Sequence, residues 1–124
     1  MNLVDSSCWL EFFAGSPVGE LVSEPIENTR QLIVPAIVLY EVFKKLLAEV
    51  GEDKAIMALA HMKQGKVVDL DAAIAIQAAK IGFEHKLALA DSIIYATAVQ
   101  HDCMIWTQDK HFEKLDHVRY FRKQ

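Results

Sequence analysis

Apolar and polar positions change period several times along the 124 residues, and each change marks an element. Asn2 to Val4 is a short apolar start, and Asp5-Ser6-Ser7 supplies caps for a helix through Trp9 to Phe13. Gly15-Ser16-Pro17 breaks that helix, and a second short one runs from Val18 to about Ile26. Gln31 to Val34 is rich in β-branched residues and ends at Pro35, which predicts a strand. Leu39, Phe43, Leu46, Leu47 and Val50 then recur at helical spacing up to Gly51. Glu52 to Lys63 reads as another helix, with Ile56, Leu59, Ala60 and Lys63 on successive turns before Gln64-Gly65. Lys66 to Leu70 is a strand, and Asp71 opens the Ala-rich helix DAAIAIQAAKIGFEHK. The run LALADSIIYATA follows as a helix to about His101. Cys103 to Trp106 is a strand, Asp109 to Leu115 a short helix, and Val118 to Phe121 a last strand.

Strands alternating with helical runs imply βαβ units, hence an α/β fold whose central, mostly parallel sheet of four to five strands is flanked by helices in three layers. No repeat, low-complexity tract or long linker divides the chain, so residues 1–124 are expected to form one domain. Ligands in such folds bind beyond the carboxyl ends of the strands. Asp5 follows the first strand, and Asp109 closes Trp106-Thr107-Gln108-Asp109 after the fourth. Glu41 lies one to two turns into the helix that leaves the second strand. Asp91 begins the helix preceding the fourth, with its N-terminus expected beside the same edge. Four acids from distant parts of the sequence can therefore converge.

Each acid also has an ordinary structural explanation. Asp5 can cap the Ser6 to Phe13 helix, although Asp, Ser and Ser over-supply a single cap. Glu41 departs from the apolar stripe and can pair with Lys45 one turn on. Asp109 can cap the helix holding Phe112 and Leu115. Asp91 can be an N-cap, though a partly buried one among Ala90, Ile93, Ile94, Ala96, Ala98 and Val99. Together the four acids suit metal-assisted phosphodiester hydrolysis. Hard divalent cations take oxygen ligands, lower the pKa of a bound water and polarise phosphoryl oxygens.

Composition narrows the field. The formal net charge of −4 argues against a protein that coats nucleic acid broadly, without excluding nucleic acid as a substrate. Cys8 and Cys103 form no disulfide framework and no C-x-x-C site. The longest apolar run, LIVPAIVLY, falls far short of the roughly 20 residues of a membrane span. MNLVDSS lacks the basic region of a signal peptide. The expectation is a soluble cytoplasmic protein without a membrane partner. His61, His85, His101, His111 and His117 form no zinc-binding spacing. Trp9, Phe12 and Phe13 read as core or interface ahead of RNA stacking. Lys44, Lys45 and Lys110 flank proposed acids, and the end of the chain, His117 to Lys123, is basic with interleaved aromatics. Each of these is a solvated face or a phosphate contact. There is no Gly-rich phosphate loop, and Asp5 lacks the D-x-D form of an aspartyl-phosphate phosphatase.

The motifs LVDSSCWLEFF, YEVFKKL and LALADSIIYATAVQHDCMIWTQDKHFEKL, in this order, resemble a PIN domain of the VapC-type toxin ribonucleases. The family pattern D-[ST]-[SN] corresponds to Asp5-Ser6-Ser7, and its helix Glu to Glu41. Its A-D-x-x-I-A-A-x-A signature corresponds to Ala90–Ala98, and T-x-D-x-x-F to Thr107–Phe112. The resemblance spans essentially the whole chain and implies a PIN-like fold with a central parallel sheet. It implies a Mg²⁺- or Mn²⁺-dependent endoribonuclease, the toxin of a toxin–antitoxin pair. Asp5, Glu41, Asp91 and Asp109 would be the catalytic residues, as metal ligands or organisers of the attacking water. Ser7 and Thr107 would support the acid pocket. The implied partners are an RNA substrate, a cognate antitoxin that occupies the acidic groove, and a second copy in a homodimer. Some members carry another acid two residues after the fourth, where this chain has His111. The alternatives are a PIN-fold binding or regulatory module without turnover, and a metal nuclease or phosphatase outside toxin–antitoxin biology.

Overall fold

The computed structural model describes residues 1–123. Five strands lie side by side: β1 (Asn2–Val4), β2 (Leu32–Pro35), β3 (Lys66–Val68), β4 (Met104–Thr107) and β5 (Val118–Tyr120). Their order is β3-β2-β1-β4-β5, and every pairing is parallel. The sheet thus has the upper of the two expected strand counts, and it is wholly rather than mostly parallel. All four residues of β2 are buried. A strand buried at successive positions has both faces covered, which is why this segment reads as a continuous apolar run.

Six helices connect the strands: α1 (Ser6–Ala14), α2 (Pro17–Glu27), α3 (Ala36–Val50), α4 (Glu52–Met62), α5 (Ala72–His85) and α6 (Leu89–Gln100). Pairs of helices fill the first three crossovers, so every strand points the same way and shares one carboxyl edge. The chain steps from β1 to β2 to β3 on one side of β1, then returns past it to β4. The crossover direction reverses between β1 and β4, and that seam is where a ligand is expected in an open parallel sheet. Leu3 faces Ile33 on one side and Ile105 on the other, and all three are fully buried. Each contributes on the order of 1.5–3 kcal/mol by leaving water.

The apolar stripes are displaced from those the sequence suggests. On α3 the buried residues are Val38, Val42 and Leu46, whereas Leu47 and Val50 are exposed. On α4 they are Ala55, Ala58 and Met62, with Ile56 exposed. A helix this apolar carries more than one candidate stripe, and tertiary packing chooses among them. Leu46, Val50, Met57 and Ala58 instead join Leu10 and Phe13 in an apolar groove of about 600 Å³. The expected helix from Asp109 to Leu115 is a single 3₁₀ turn, Lys110–Phe112, with Asp109 at its cap. Trp9 is fully buried against Phe12, Phe13 and His61.

Gly19 lets α2 lie close along α1. A methyl group there would overlap the backbone of Glu11 and Phe12. Backbone cannot swing away as a side chain can, so Gly19→Ala is expected to lower stability by roughly 1–3 kcal/mol in denaturant melts. An unchanged midpoint would contradict the close approach.

Candidate metal centre

Asp5 leaves β1 at the carboxyl edge and is only 3% exposed. Its carboxylate is the N-cap of α1, accepting from the Cys8 backbone N–H at 3.3 Å. Two hydroxyls complete its shell: Ser7 donates to Oδ1 at 2.6 Å and Thr107 to Oδ2 at 2.5 Å. The second bond crosses the β1–β4 seam. The apparent excess of capping residues in Asp5-Ser6-Ser7 is thereby explained, because only Asp5 caps. Ser7 holds Asp5, and Ser6 donates to Glu41 Oε1 at 3.0 Å.

The same hydroxyls position the loop after β4. Thr107 Oγ1 accepts from the Asp109 N–H at 2.9 Å, and Ser7 Oγ accepts from the Gln108 N–H at 3.3 Å. Asp109 in turn accepts from the His111 N–H at 2.9 Å. Glu41 projects from α3 toward Ser6 rather than toward Lys45. The expected Glu41–Lys45 pair is absent, because Lys45 bonds Glu49 at 3.3 Å on the outer face of the helix.

Asp91 is not the cap of its helix. Ala88 occupies that position without a side-chain cap, and Asp91 is the third residue of the first turn of α6. A carboxylate in the first turn is favoured by the helix dipole without making a capping bond, and its oxygens are free to face the site. Asp91 Oδ2 lies 3.2 Å from His111 Nδ1, which is also 3.3 Å from Asp109 Oδ1. Both neighbours are carboxylates, so the ring proton is assigned to Nδ1 as donor. Ligand atoms of Asp91, Asp109 and His111 all fall within 4.8 Å of one another, an arrangement able to hold a metal ion. The sequence places His111 where some members of the family carry another acid, but gives it no ligand role because its contact with Asp91 on α6 is made only in the fold.

Burial and neighbouring carboxylates shift three of these acids. Burial raises Asp5 to about 6, against the hydrogen bonds from Ser7, Thr107 and Cys8, with a further push from Asp109. Burial also raises Glu41, opposed by Ser6 and reinforced by Asp91 and Asp109. Asp91 is raised by burial and by Asp109, and lowered by His111. Like charges gathered at a half-dry edge are unfavourable unless a cation joins them. The donor set, carboxylate oxygens with one imidazole, fits a divalent metal ion.

With this geometry in view, comparison with known proteins places the chain. The PIN domain family model matches residues 3–118, and the chain belongs to that family. Its fold is shared with VapC toxins from VapBC toxin–antitoxin complexes at low identity. A toxin–antitoxin complex from Klebsiella pneumoniae superposes with a TM-score of 0.84 at 23% identity, over 99% of this chain and 100% of that one. VapC20 of Mycobacterium tuberculosis, a sarcin-ricin loop cleaving toxin, gives 0.79 at 20% identity, over 99% and 100%. DNA-bound VapBC from Salmonella typhimurium gives 0.74 at 17%, over 98% of each chain. No curated protein sequence matches the chain.

Asp5 generates a prediction about stability. Its folded-state value lies above the ordinary 3.8, so the folded chain binds the proton more tightly than the unfolded one. The resulting stabilisation is complete below the ordinary value and is lost as pH rises through about 6. In chelator, raising pH from about 4 to 7 is expected to cost the native protein up to roughly 3 kcal/mol relative to Asp5→Asn. Parallel pH–stability curves for the two proteins would contradict the burial of this charge.

Proposed function

We propose that the chain is one PIN domain acting as a metal-dependent endoribonuclease, the toxin of a toxin–antitoxin pair. The reading is supported by Asp91, Asp109 and His111, whose ligand atoms lie within 4.8 Å of one another, and by the electrostatic coupling of Asp5 and Glu41 to Asp109. Asp5, Glu41 and Asp91 are each raised by burial and by the neighbouring Asp109. Asp91 and Asp109 would hold a Mg²⁺ or Mn²⁺ ion, which His111 would join on giving up its Nδ1 proton, with Asp5 and Glu41 completing the shell through direct or water-mediated contact. Such an ion supplies charge to the phosphoryl oxygens and lowers the pKa of a nearby water.

The protein's own groups do the rest. Thr107 and Ser7 fix the Asp5 carboxylate so that it need not reorganise when charge develops beside it. Ser6 does the same for Glu41. A carboxylate of this group not bound directly to the ion would be placed to take a proton from the attacking water. Hydrolysis then adds the elements of water across one P–O ester bond. The apolar groove beside α1, α3 and α4, and the outward-facing Ile76, Phe83 and Leu89, support apolar contacts with an antitoxin and a second copy. Among the described residues no helix is long and apolar enough to cross a membrane. A cytoplasmic site of action, where RNA and antitoxin are found, completes the proposal.

The test is cleavage of total cellular RNA in Mg²⁺ or Mn²⁺. Native protein is expected to cleave in either ion and not in chelator. Asp91→Asn and Asp109→Asn should each lower kcat by roughly a hundredfold or more while leaving the melting curve sigmoidal. Equal cleavage by the native and substituted proteins, or none by either, contradicts the proposal.

A further inference from the structure

β5 carries the chain past the carboxyl edge immediately outside the acid centre. Thr107 pairs with Tyr120, and the Phe121 N–H donates to Thr107 O at 2.8 Å. Strand geometry then sorts the side chains that follow. Arg119 and Phe121 share one face, where the Arg119 guanidinium stacks 4.7 Å from the Trp106 ring and 5.8 Å from Phe121. Tyr120 and Arg122 belong to the other. Arg122, Lys123, Lys110 and Tyr120 border a cavity of about 530 Å³ whose remaining walls are Ser7, Gln108 and Asp109. Asp109 and Ser7 are therefore common to the acid centre and to this cationic hollow. A second hollow of about 330 Å³, running to Glu11, Ser16 and Pro17 beside α1, shares Gln108 and Lys123 with the first, and its acid marks the outer limit of the cationic patch. Gln108 is 5% exposed, and its backbone N–H is held by Ser7.

Three cations at one end of a chain of net charge −4 are a local reversal of sign. Four carboxylates repel a polyanion, so a phosphodiester strand brought to them needs attraction from beside the centre. We propose that Lys110, Arg122 and Lys123, with Tyr120 and the Gln108 amide, form a subsite for the backbone phosphates of the RNA strand next to the bond presented to the acids. This rests on the ribonuclease reading of the acid centre. Arg122 offers a planar fork to phosphate oxygens, the lysines act as point charges, and Tyr120 offers a ring face to a base. Gln108 adds a neutral donor to phosphate or ribose.

The test is steady-state cleavage of a fluorescein-labelled structured RNA across a KCl series, with anisotropy of a labelled 16-nucleotide single strand measured alongside in chelator. The double variant Arg122→Gln/Lys123→Gln should raise KM about tenfold at moderate salt and leave kcat within about twofold. Its log–log salt slope should fall by roughly 1.4, the loss expected for two single-strand phosphate contacts. Arg119→Gln, on the opposite face, should match the native protein in every measure. If the native protein cleaves and the double variant keeps native KM and slope, the subsite is wrong while the ribonuclease reading stands. Equal effects of Arg119→Gln would also overturn it, because net charge alone would then explain the result. If the native protein cleaves nothing, the ribonuclease reading fails and anisotropy decides the subsite. Weaker binding by the double variant sustains a phosphate site, and equal binding overturns it. Displacement of the RNA by polyglutamate at equal charge concentration would assign the hollow to an acidic protein segment and reject the proposal.

Discussion

The Asp5 carboxylate is the constraint on which the site is built. An acid 3% exposed at the meeting of two strands must be surrounded by donors or the fold does not tolerate it. Here three donors come from two sides: the Cys8 N–H and Ser7 hydroxyl in the first turn of α1, and the Thr107 hydroxyl at the end of β4. Satisfying that one group locks β1, α1 and β4 in register. The hydroxyls that do so also accept from the backbone of Gln108 and Asp109. The loop that presents the fourth acid is thus held by the shell of the first.

Much of this was legible in the sequence because strands, caps and turn residues act locally. The five strands, the helix pairs and the emergence of Asp5 and Asp109 from strand ends follow from short-range patterns in which every signal agrees. What was not legible depends on partners far away in the chain. The buried faces of α3 and α4 differ from the expected ones because Leu47, Val50 and Ile56 are as apolar as the residues that won, and only the packing of α3 on β2 and α4 decides between them. The ordinary readings of the acids fared unevenly for the same reason. Asp5 and Asp109 do cap, since capping is local. Asp91 does not, and Glu41 turns from Lys45 to Ser6, a partner 35 residues away. His111 stood out only as a departure from the family's acid position, because its contact with Asp91, 20 residues away, is a product of the fold.

The surface divides its chemistry by region. Carboxylates gather over the β1–β4 seam, cations stand just outside it where β5 runs out, and apolar side chains line the groove made by α1, α3 and α4. The buried thiols take no part. Cys8 lies beneath Asp5 with its thiol pushed well above the ordinary range by burial and by that carboxylate, and burial raises Cys103 to about 11. Both stay protonated and behave as small core residues. Stability is given up at the edge, where like charges are crowded, and recovered in the sheet beneath it.

On the proposed reading these four acids are one cation-holding centre rather than four independent helix and loop residues. Anomalous diffraction from crystals soaked in Mn²⁺ tests it directly. A peak is expected within coordination distance, roughly 2–2.5 Å, of carboxylate oxygens of both Asp91 and Asp109. Asp5 and Glu41 should be linked to it directly or through one water. A map with no peak at the seam, or with manganese bound only at unrelated surface carboxylates, would contradict the account.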